Sequence, residues 1–243
     1  MQATMSAQRF DVVSLFPQMF AAVTESGITR RALELGLWQW QAWNPRDFTT
    51  DVHRTVDDRP FGGGPGMVMM AEPLALAVDA ARHAQREAGF GAGRVIALSP
   101  SGTPLADARV REWASQRKPL VLVCGRYEGI DQRFLDACVD EEVSIGDFVM
   151  SGGELGAMAL MDAVIRHLPG AMKEASIADE SFVDGLLDAP QYTRPEAWRD
   201  RPVPTVLMSG HHAEIQKWRL ERKRARTRER RPDLWAAAAK AQV

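Results

Sequence analysis

Five apolar side chains stand in succession from Leu120 to Cys124, between Pro119 and Gly125. An unbroken run of that length, bounded by turn residues, suits a strand covered on both faces, the environment found in a parallel sheet. Similar runs recur at Phe10 to Phe16, Val95 to Leu98 and Val143 to Val149, each meeting a Gly, Pro or polar turn. Helix-like stretches lie between them. Glu72 to Ala88 is Ala-rich with a proline in its first turn, and Pro104 to Lys118 opens in a similar way. Gly153 to Leu168 carries Leu155, Met158, Met161 and Ile165 at helical spacing before Pro169-Gly170 stops it. Short buried strands alternating with helices predict an α/β fold with a mostly parallel sheet over residues 1–170.

Residues 171–190 mix acids, small residues and a glycine without a sustained period, which reads as an interdomain linker as long as functional loops tend to be. Residues 191–243 then read as a small all-α domain. Ile215, Trp218 and Ala225 mark a thin apolar stripe on an otherwise basic helix, Pro232 ends it, and Leu234 to Gln242 starts another.

With 45% hydrophobic and 26% charged residues in 243, disorder is excluded as the main state. No stretch of eighteen or more apolar residues occurs, and Met1 to Phe16 lacks a basic segment followed by an apolar run. No membrane span or secretory signal is expected, and a cytoplasmic protein with Cys124 and Cys138 reduced is. The net charge of −2 conceals a division along the chain. From Lys217 to Arg231 nine Lys or Arg face two Glu, a local +7, so the rest of the chain carries −9. A helix basic around most of its circumference repels itself, and binding a polyanion relieves that repulsion. RNA or DNA suits this arm better than a membrane surface, because the apolar stripe is too thin for interfacial burial.

Between Asp57 and Gly66 four glycines fall within five positions, a backbone able to bend sharply or pass close to a ligand. It is not a phosphate-binding P-loop, because no Gly-Lys-Ser/Thr follows. Gly89-x-Gly91-x-Gly93 precedes a strand rather than following one, a poor match to a dinucleotide fingerprint. Three loops at the carboxyl ends of the expected central strands carry more information: Leu98 to Pro100, Gly125 to Gly129 and Ile145 to Glu154. In open α/β sheets ligands collect at such ends. These loops offer glycines, apolar side chains for a flat ring and scattered carboxylates, but few cations, so they suit an aromatic, polar ligand that is not strongly anionic. The five histidines form no metal-binding spacing, His211-His212 reads as a polar helix entry, and no Gly-x-Ser-x-Gly elbow occurs. No metal site is expected.

The motifs Val12 to Pro17, Trp43 to Asp47, Val56 to Pro60, Gly62 to Met67, Leu122 to Asp131, Ser144 to Asp147 and Leu207 to His212 closely resemble the bacterial tRNA (guanine-N1)-methyltransferases, TrmD type, of the SPOUT superfamily. The resemblance runs in order from about Arg9 to Leu234. It implies an S-adenosylmethionine-dependent enzyme that methylates N1 of guanosine 37, 3′ of the tRNA anticodon. It also implies a homodimer with active sites at the subunit interface and a deep trefoil knot formed by the three loops. Carried over by position, the cofactor pocket comprises Leu98, Ser99, Pro100, Gly125 to Glu128 (Tyr127 among them), Ile145, Gly146, Asp147, Phe148, Val149, Met150, Gly152 and Gly153. Asp57 and the glycine loop, with Gly66, would lie near the flipped guanine. Lys217, Arg219, Arg222, Arg224 and Arg226 of the basic arm would hold tRNA phosphates, making residues 191–243 a tRNA-binding domain.

The resemblance assigns the cation that stabilises charge on guanine O6 to Arg166, and the base that removes the N1 proton to an aspartate directly before Ser-Phe. Here that position holds Glu180. A glutamate reaches farther by one C–C bond, about 1.5 Å. The Ser181-Phe182 register favours Glu180, with Asp179 as the alternative after a one-residue shift. Two further departures from the family pattern are Ala97, where a Tyr is common, and Gly156, where a Pro is. A member of the fold that binds RNA without catalysis is the competing reading.

Overall fold

The structure, a computed structural model, describes residues 7–240. Met1 to Ser6, where part of the expected signal-free start falls, and the expected end of the last helix at Gln242 lie outside the described residues. The chain forms two compact units that meet between Met172 and Lys173.

The first unit opens with β1 (Gln8–Val13), α1 (Ala21–Thr24), α2 (Gly27–Glu34) and β2 (Trp38–Trp43). A short antiparallel pair, β3 (Asp57–Asp58) and β4 (Val68–Met69), precedes α3 (Ala71–Glu87). There follow β5 (Arg94–Pro104), α4 (Asp107–Gln116), β6 (Leu120–Cys124), α5 (Gln132–Cys138), β7 (Glu141–Ser144) and α6 (Glu154–Arg166). Five strands form one sheet in the order β2-β1-β6-β5-β7, and each neighbouring pair is parallel.

Alternation along the strands divides the core into two layers. Leu120, Leu122 and Cys124 of β6 join Phe10, Val12, Ile96 and Leu98 in packing against Val110 and Trp113 of α4 and Leu160, Met161 and Ile165 of α6. Val121 and Val123 point the other way, with Val95 and Ala97, toward Leu74, Ala77, Val78 and Ala81 of α3 and Phe134 of α5. The α/β reading with a mostly parallel sheet holds.

Three boundaries differ from the sequence reading. β1 begins at Gln8, ahead of the apolar run, because Arg9 and Asp11 find their partners inside the protein. Arg9 grips Asp11 with two hydrogen bonds of 2.8 Å and also reaches Gln39 and Gln41 of β2. The Asp11 carboxylate, fully buried, accepts further bonds from Trp43 Nε1 and Gln85 Nε2, each 2.8 Å. β5 continues to Pro104, where a helix was expected to open: Thr103 and Pro104 pair with Val143 and Ser144 after a register shift beyond Leu98. β7 stops at Ser144, and the apolar residues Ile145 to Val149 leave the sheet. The turn at Gly146, φ 152°, redirects the chain and leaves Val149 87% exposed.

The second unit contains α7 (Glu174–Ile177), the antiparallel ribbon of β8 (Ala197–Trp198) and β9 (Arg201–Pro202), α8 (His212–Arg230) and α9 (Pro232–Lys240). It is therefore not all helical. Arg199 and Asp200 both take positive φ, the conformation that closes a two-residue hairpin. Of the segment read as a linker, Ala171 and Met172 belong to the first unit and residues 173–190 to this one. Lys223 of α8 is buried with its Nζ 2.7 Å from Asp184 Oδ2, and the buried Thr227 hydroxyl accepts the Leu187 N–H. Leu186 and Ala189 are buried as well. The buried face of α8 is thus Lys223 and Thr227, while Ala225, placed on the expected apolar stripe, is exposed.

Replacing Asp11 by Ala would leave Arg9, Trp43 and Gln85 without their common acceptor. Removing one partner of a buried ion pair costs about 3 to 5 kcal/mol. Chemical denaturation of Asp11→Ala is expected to show a loss of that size, and a loss below about 1 kcal/mol would mean that the network is dispensable.

Candidate active site

Because all five strands run one way, the irregular stretch of β5 beyond Leu98 and the loops that follow β6 and β7 meet at one end of the sheet, where they enclose a cleft of about 180 Å³. Leu98, Ser99 and Pro100 form one wall, and Gly125, Arg126, Tyr127 and Glu128 a second. Ile145, Gly146, Phe148, Val149, Met150, Gly152 and Gly153 form the third. Asp147 is exposed and is not part of the lining.

The loops meet backbone to backbone. Gly153 N–H donates to Gly125 C=O at 2.9 Å, and a Cβ on Gly153 would lie 2.8 Å from Cys124 Cα. A Cβ on Gly102 would lie 2.5 Å from the Glu142 carbonyl carbon. Only glycine fits such contacts. Gly156 leaves 3.3 Å between its missing Cβ and Leu98 Cδ1, and both it and Ala97 line the cleft.

The lining also includes Gly129, Ile130, Val143, Ser144 and Ser151, which fall in loops, motifs or runs named above but were not assigned to the pocket, and Leu135 and Glu142, which fall in none of them. Ile130 and Leu135 could have been found as the apolar residues that follow the Gly125 to Gly129 turn. Glu142 carried no signal, since its inward placement depends on the pairing of β7 with β5.

Carboxylates outnumber available cations here. Glu128 and Glu142 line the cleft, while the guanidinium of Arg126 is committed to Glu154, Nε to Oε2 at 2.9 Å. Tyr127 takes φ 60°, uncommon for a residue with a Cβ, and Arg46 Nη2 lies 3.4 Å from its hydroxyl. Burial, then a hydrogen bond with Asp57, pushes the Tyr127 phenol above its ordinary range. Cys124 is fully buried; burial, followed by the charge of Glu154, pushes its thiol well up, so it acts as packing and not as a nucleophile.

The structure brings the glycine loop to this cleft. Gly62, Gly63, Gly64 and Gly66 all take positive φ, and Gly66 lies directly against the Glu128 side chain. Glu128 N–H donates to Met67 C=O at 2.9 Å, and Asp131 N–H to Met69 C=O at 3.0 Å. With Asp57 bonded to Tyr127, both residues assigned near the guanine border the cleft.

The remaining assigned residues lie elsewhere. Arg166 ends α6, whose first residue is Glu154. At 1.5 Å per residue, the two are separated by about 18 Å along the helix axis. Glu180 and the basic arm belong to the second unit. Glu180 is half-buried, and the Asp179 carboxylate sits 3.9 Å from both Arg219 Nη1 and Lys223 Nζ. Lys217, Arg222 and Arg224 are exposed, with Arg222 over the Trp218 ring. Arg226 is half-buried, its Nη1 3.4 Å from the carbonyl and carboxylate oxygens of Asp188.

Comparison with known proteins gives one consistent result. Residues 8–237 match the family model described as tRNA (Guanine-1)-methyltransferase TrmD. The chain is 62% identical over 229 residues to the tRNA (guanine-N(1)-)-methyltransferase of Dechloromonas aromatica (strain RCB), covering 94% of this chain and 90% of that one. It is 60% identical to the protein of the same name from Janthinobacterium sp. (strain Marseille), covering 96% and 94%, and 58% identical to that of Burkholderia multivorans (strain ATCC 17616 / 249), covering 96% and 88%. With a cleft built from the motifs that carry the resemblance and a match across nearly its whole length, this chain belongs to the TrmD family of tRNA (guanine-1)-methyltransferases.

Proposed function

We propose that this protein transfers a methyl group from S-adenosylmethionine to N1 of guanosine 37 in tRNA, in the cytoplasm. The observation that carries the reading is the cleft at the ends of β5, β6 and β7, in a chain of this family. Its chemistry fits the cofactor. Glycines 125, 152 and 153 let backbone groups approach a planar base, Leu98, Ile130 and Val143 offer apolar contact, and Glu128 and Glu142 suit a cationic centre. Arg126 is occupied by Glu154, so the cleft is poorly equipped for a triphosphate. Asp147, exposed in the same loop, is left out of the cofactor contacts. We further propose that the three loops form a trefoil knot, an arrangement supported by the close backbone crossings at Gly102 and Gly153.

When bound, S-adenosylmethionine supplies an electrophilic methyl group on a sulfonium centre. Asp57 and Gly66 hold the extruded guanine beside Glu128. Extrusion costs least in a loop that is already single-stranded, as an anticodon loop is. Glu180 accepts the N1 proton on a carboxylate oxygen, and Arg166 donates hydrogen bonds to O6, where negative charge develops. Glu180 is favoured over Asp179 because it directly precedes Ser181-Phe182, the register in which the resemblance places the base. Lys217, Arg222 and Arg224, with Arg219 and Arg226, contact tRNA phosphates.

Arg166 stands at the end of α6 opposite the one that meets the cleft of its own chain. An arginine side chain extends roughly 7 Å with bonds of about 1.5 Å, far less than the length of α6 that separates it from the cleft. That separation supports an active site completed by Arg166 of a second copy, in a homodimer.

Single-turnover transfer of labelled methyl to unmodified tRNA, followed by nucleoside analysis, is expected to yield N1-methylguanosine at position 37. Binding of both tRNA and cofactor without that product would establish the non-catalytic reading instead. Glu180→Gln is expected to lower the chemical step by at least about 100-fold while Asp179→Asn leaves it within a fewfold; the reverse would move the base to Asp179. Arg166→Ala and Met150→Trp, each inactive alone, are expected to recover about a quarter of wild-type activity when mixed and allowed to exchange subunits. No recovery, with exchange verified, would place Arg166 and the cleft in one chain.

A further inference from the structure

Glu154 is fully buried at the first position of α6, and its surroundings are unusual for a carboxylate at a ligand cleft. Oε1 accepts the Ser14 hydroxyl at 2.8 Å, and Ser14 Oγ in turn accepts the Phe16 N–H at 2.9 Å. Oε2 lies 2.9 Å from Arg126 Nε, yet neither atom has an aligned hydrogen bond. Charge rather than hydrogen-bond geometry holds the pair. The Arg126 guanidinium also donates to Ser151 C=O at 3.1 Å and covers the Phe16 ring at 4.4 Å, while its backbone N–H points to Met69 Sδ at 3.2 Å. One ion pair thus ties the ends of β1 and β6, the approach to α6 and the end of β4. Gly152 is moulded to it, since a Cβ there would lie 2.5 Å from Arg126 Cδ and 2.6 Å from Glu154 Oε2.

A buried ion pair contributes little net stability compared with well-packed apolar side chains of the same volume. Its effect here is geometric. Arg126 directly precedes Tyr127, held at φ 60°, and Glu128, held against Gly66. We infer that Arg126 and Glu154 are positioning residues, which fix the Gly125 to Gly129 turn against Ser151 to Gly153 so that the cleft is shaped before its cofactor arrives. This rests on the proposed function only in the identity of that cofactor.

The test compares wild type with the double variant Arg126→Met/Glu154→Met, which removes both charges and keeps bulk, and with Glu154→Gln, which keeps shape and loses charge. The double variant is expected to melt within a few degrees of wild type. It should bind S-adenosylmethionine, titrated calorimetrically without tRNA, at least about tenfold more weakly. Its amides at 125–129 and 151–153 should exchange faster in the free protein, with KM for tRNA unchanged. Glu154→Gln, expected to change in the same direction, carries the measurement if the double variant fails to fold. Wild-type affinity together with wild-type exchange in these variants would overturn the inference. If wild type itself does not bind S-adenosylmethionine, the proposed function fails, and the exchange rates alone decide whether the pair positions the loops.

Discussion

A parallel sheet covered on both faces leaves little freedom for where its chemistry can lie. The strands must be apolar on both sides, as Leu120 to Cys124 are, and the helices that cover them occupy the space above and below. Backbone groups freed at the carboxyl ends can then meet a ligand only at the sheet's edge. β5, β6 and β7 are adjacent and release their chains at the same edge, so three loops compete for one volume. Glycine at 102, in β5 against β7, and at 153, against the end of β6, is the consequence, because one segment's backbone lies where another's side chain would be. The cleft is what remains between them. Its low cation content follows as well, since Arg126, the cation in its wall, is needed to offset Glu154 beneath it.

In the second unit the governing interaction is electrostatic. Left alone, the cations of α8 would repel one another along its length. Asp179, Asp184 and Asp188 of the preceding segment stand against Arg219, Lys223 and Arg226 and offset part of that charge. Phosphate and carboxylate offer guanidinium similar bidentate acceptors. An RNA backbone reaching Arg219 and Arg226 would therefore meet groups already engaged by the segment that carries Glu180, whereas Lys217, Arg222 and Arg224 present exposed charge. The basic helix is at once a row of exposed cations and the support of an acidic segment.

How much of this could be read in advance depended on where a residue's partners lay. β6 was legible because its run of apolar side chains admits few environments. The opening of β1 was not: Arg9 and Asp11 look like surface residues until Trp43 and Gln85, distant in sequence, close around them. Ile145 to Val149 looked like the rest of a strand because hydropathy does not distinguish burial in a core from exposure beside a ligand cleft. The 171–190 segment lacked a period because it is held by ion pairs and hydrogen bonds to α8 rather than by an apolar stripe of its own. Family motifs located nearly all of the cleft lining, yet gave no hint of Glu142 or of the Arg126 to Glu154 pair, whose meaning lies in what they touch.

The two ends of α6 raise a further question of mechanics. Its N-terminus carries Gly156 at the cleft and Glu154 buried beneath it, its C-terminus carries Arg166, and Ala157, Leu160, Met161, Val164 and Ile165 between them are fully buried. A helix packed along its middle cannot bend enough to bring its last residue back to its first, because each buried side chain would have to leave a close-packed site. Bending would also break the helix where no proline or glycine inside the last two turns permits it. The same rigidity that separates Arg166 from its own cleft fixes where Arg166 stands relative to the core. In a symmetric pair α6 would then take part in two sites at once, shaping one through Glu154 and completing the other through Arg166.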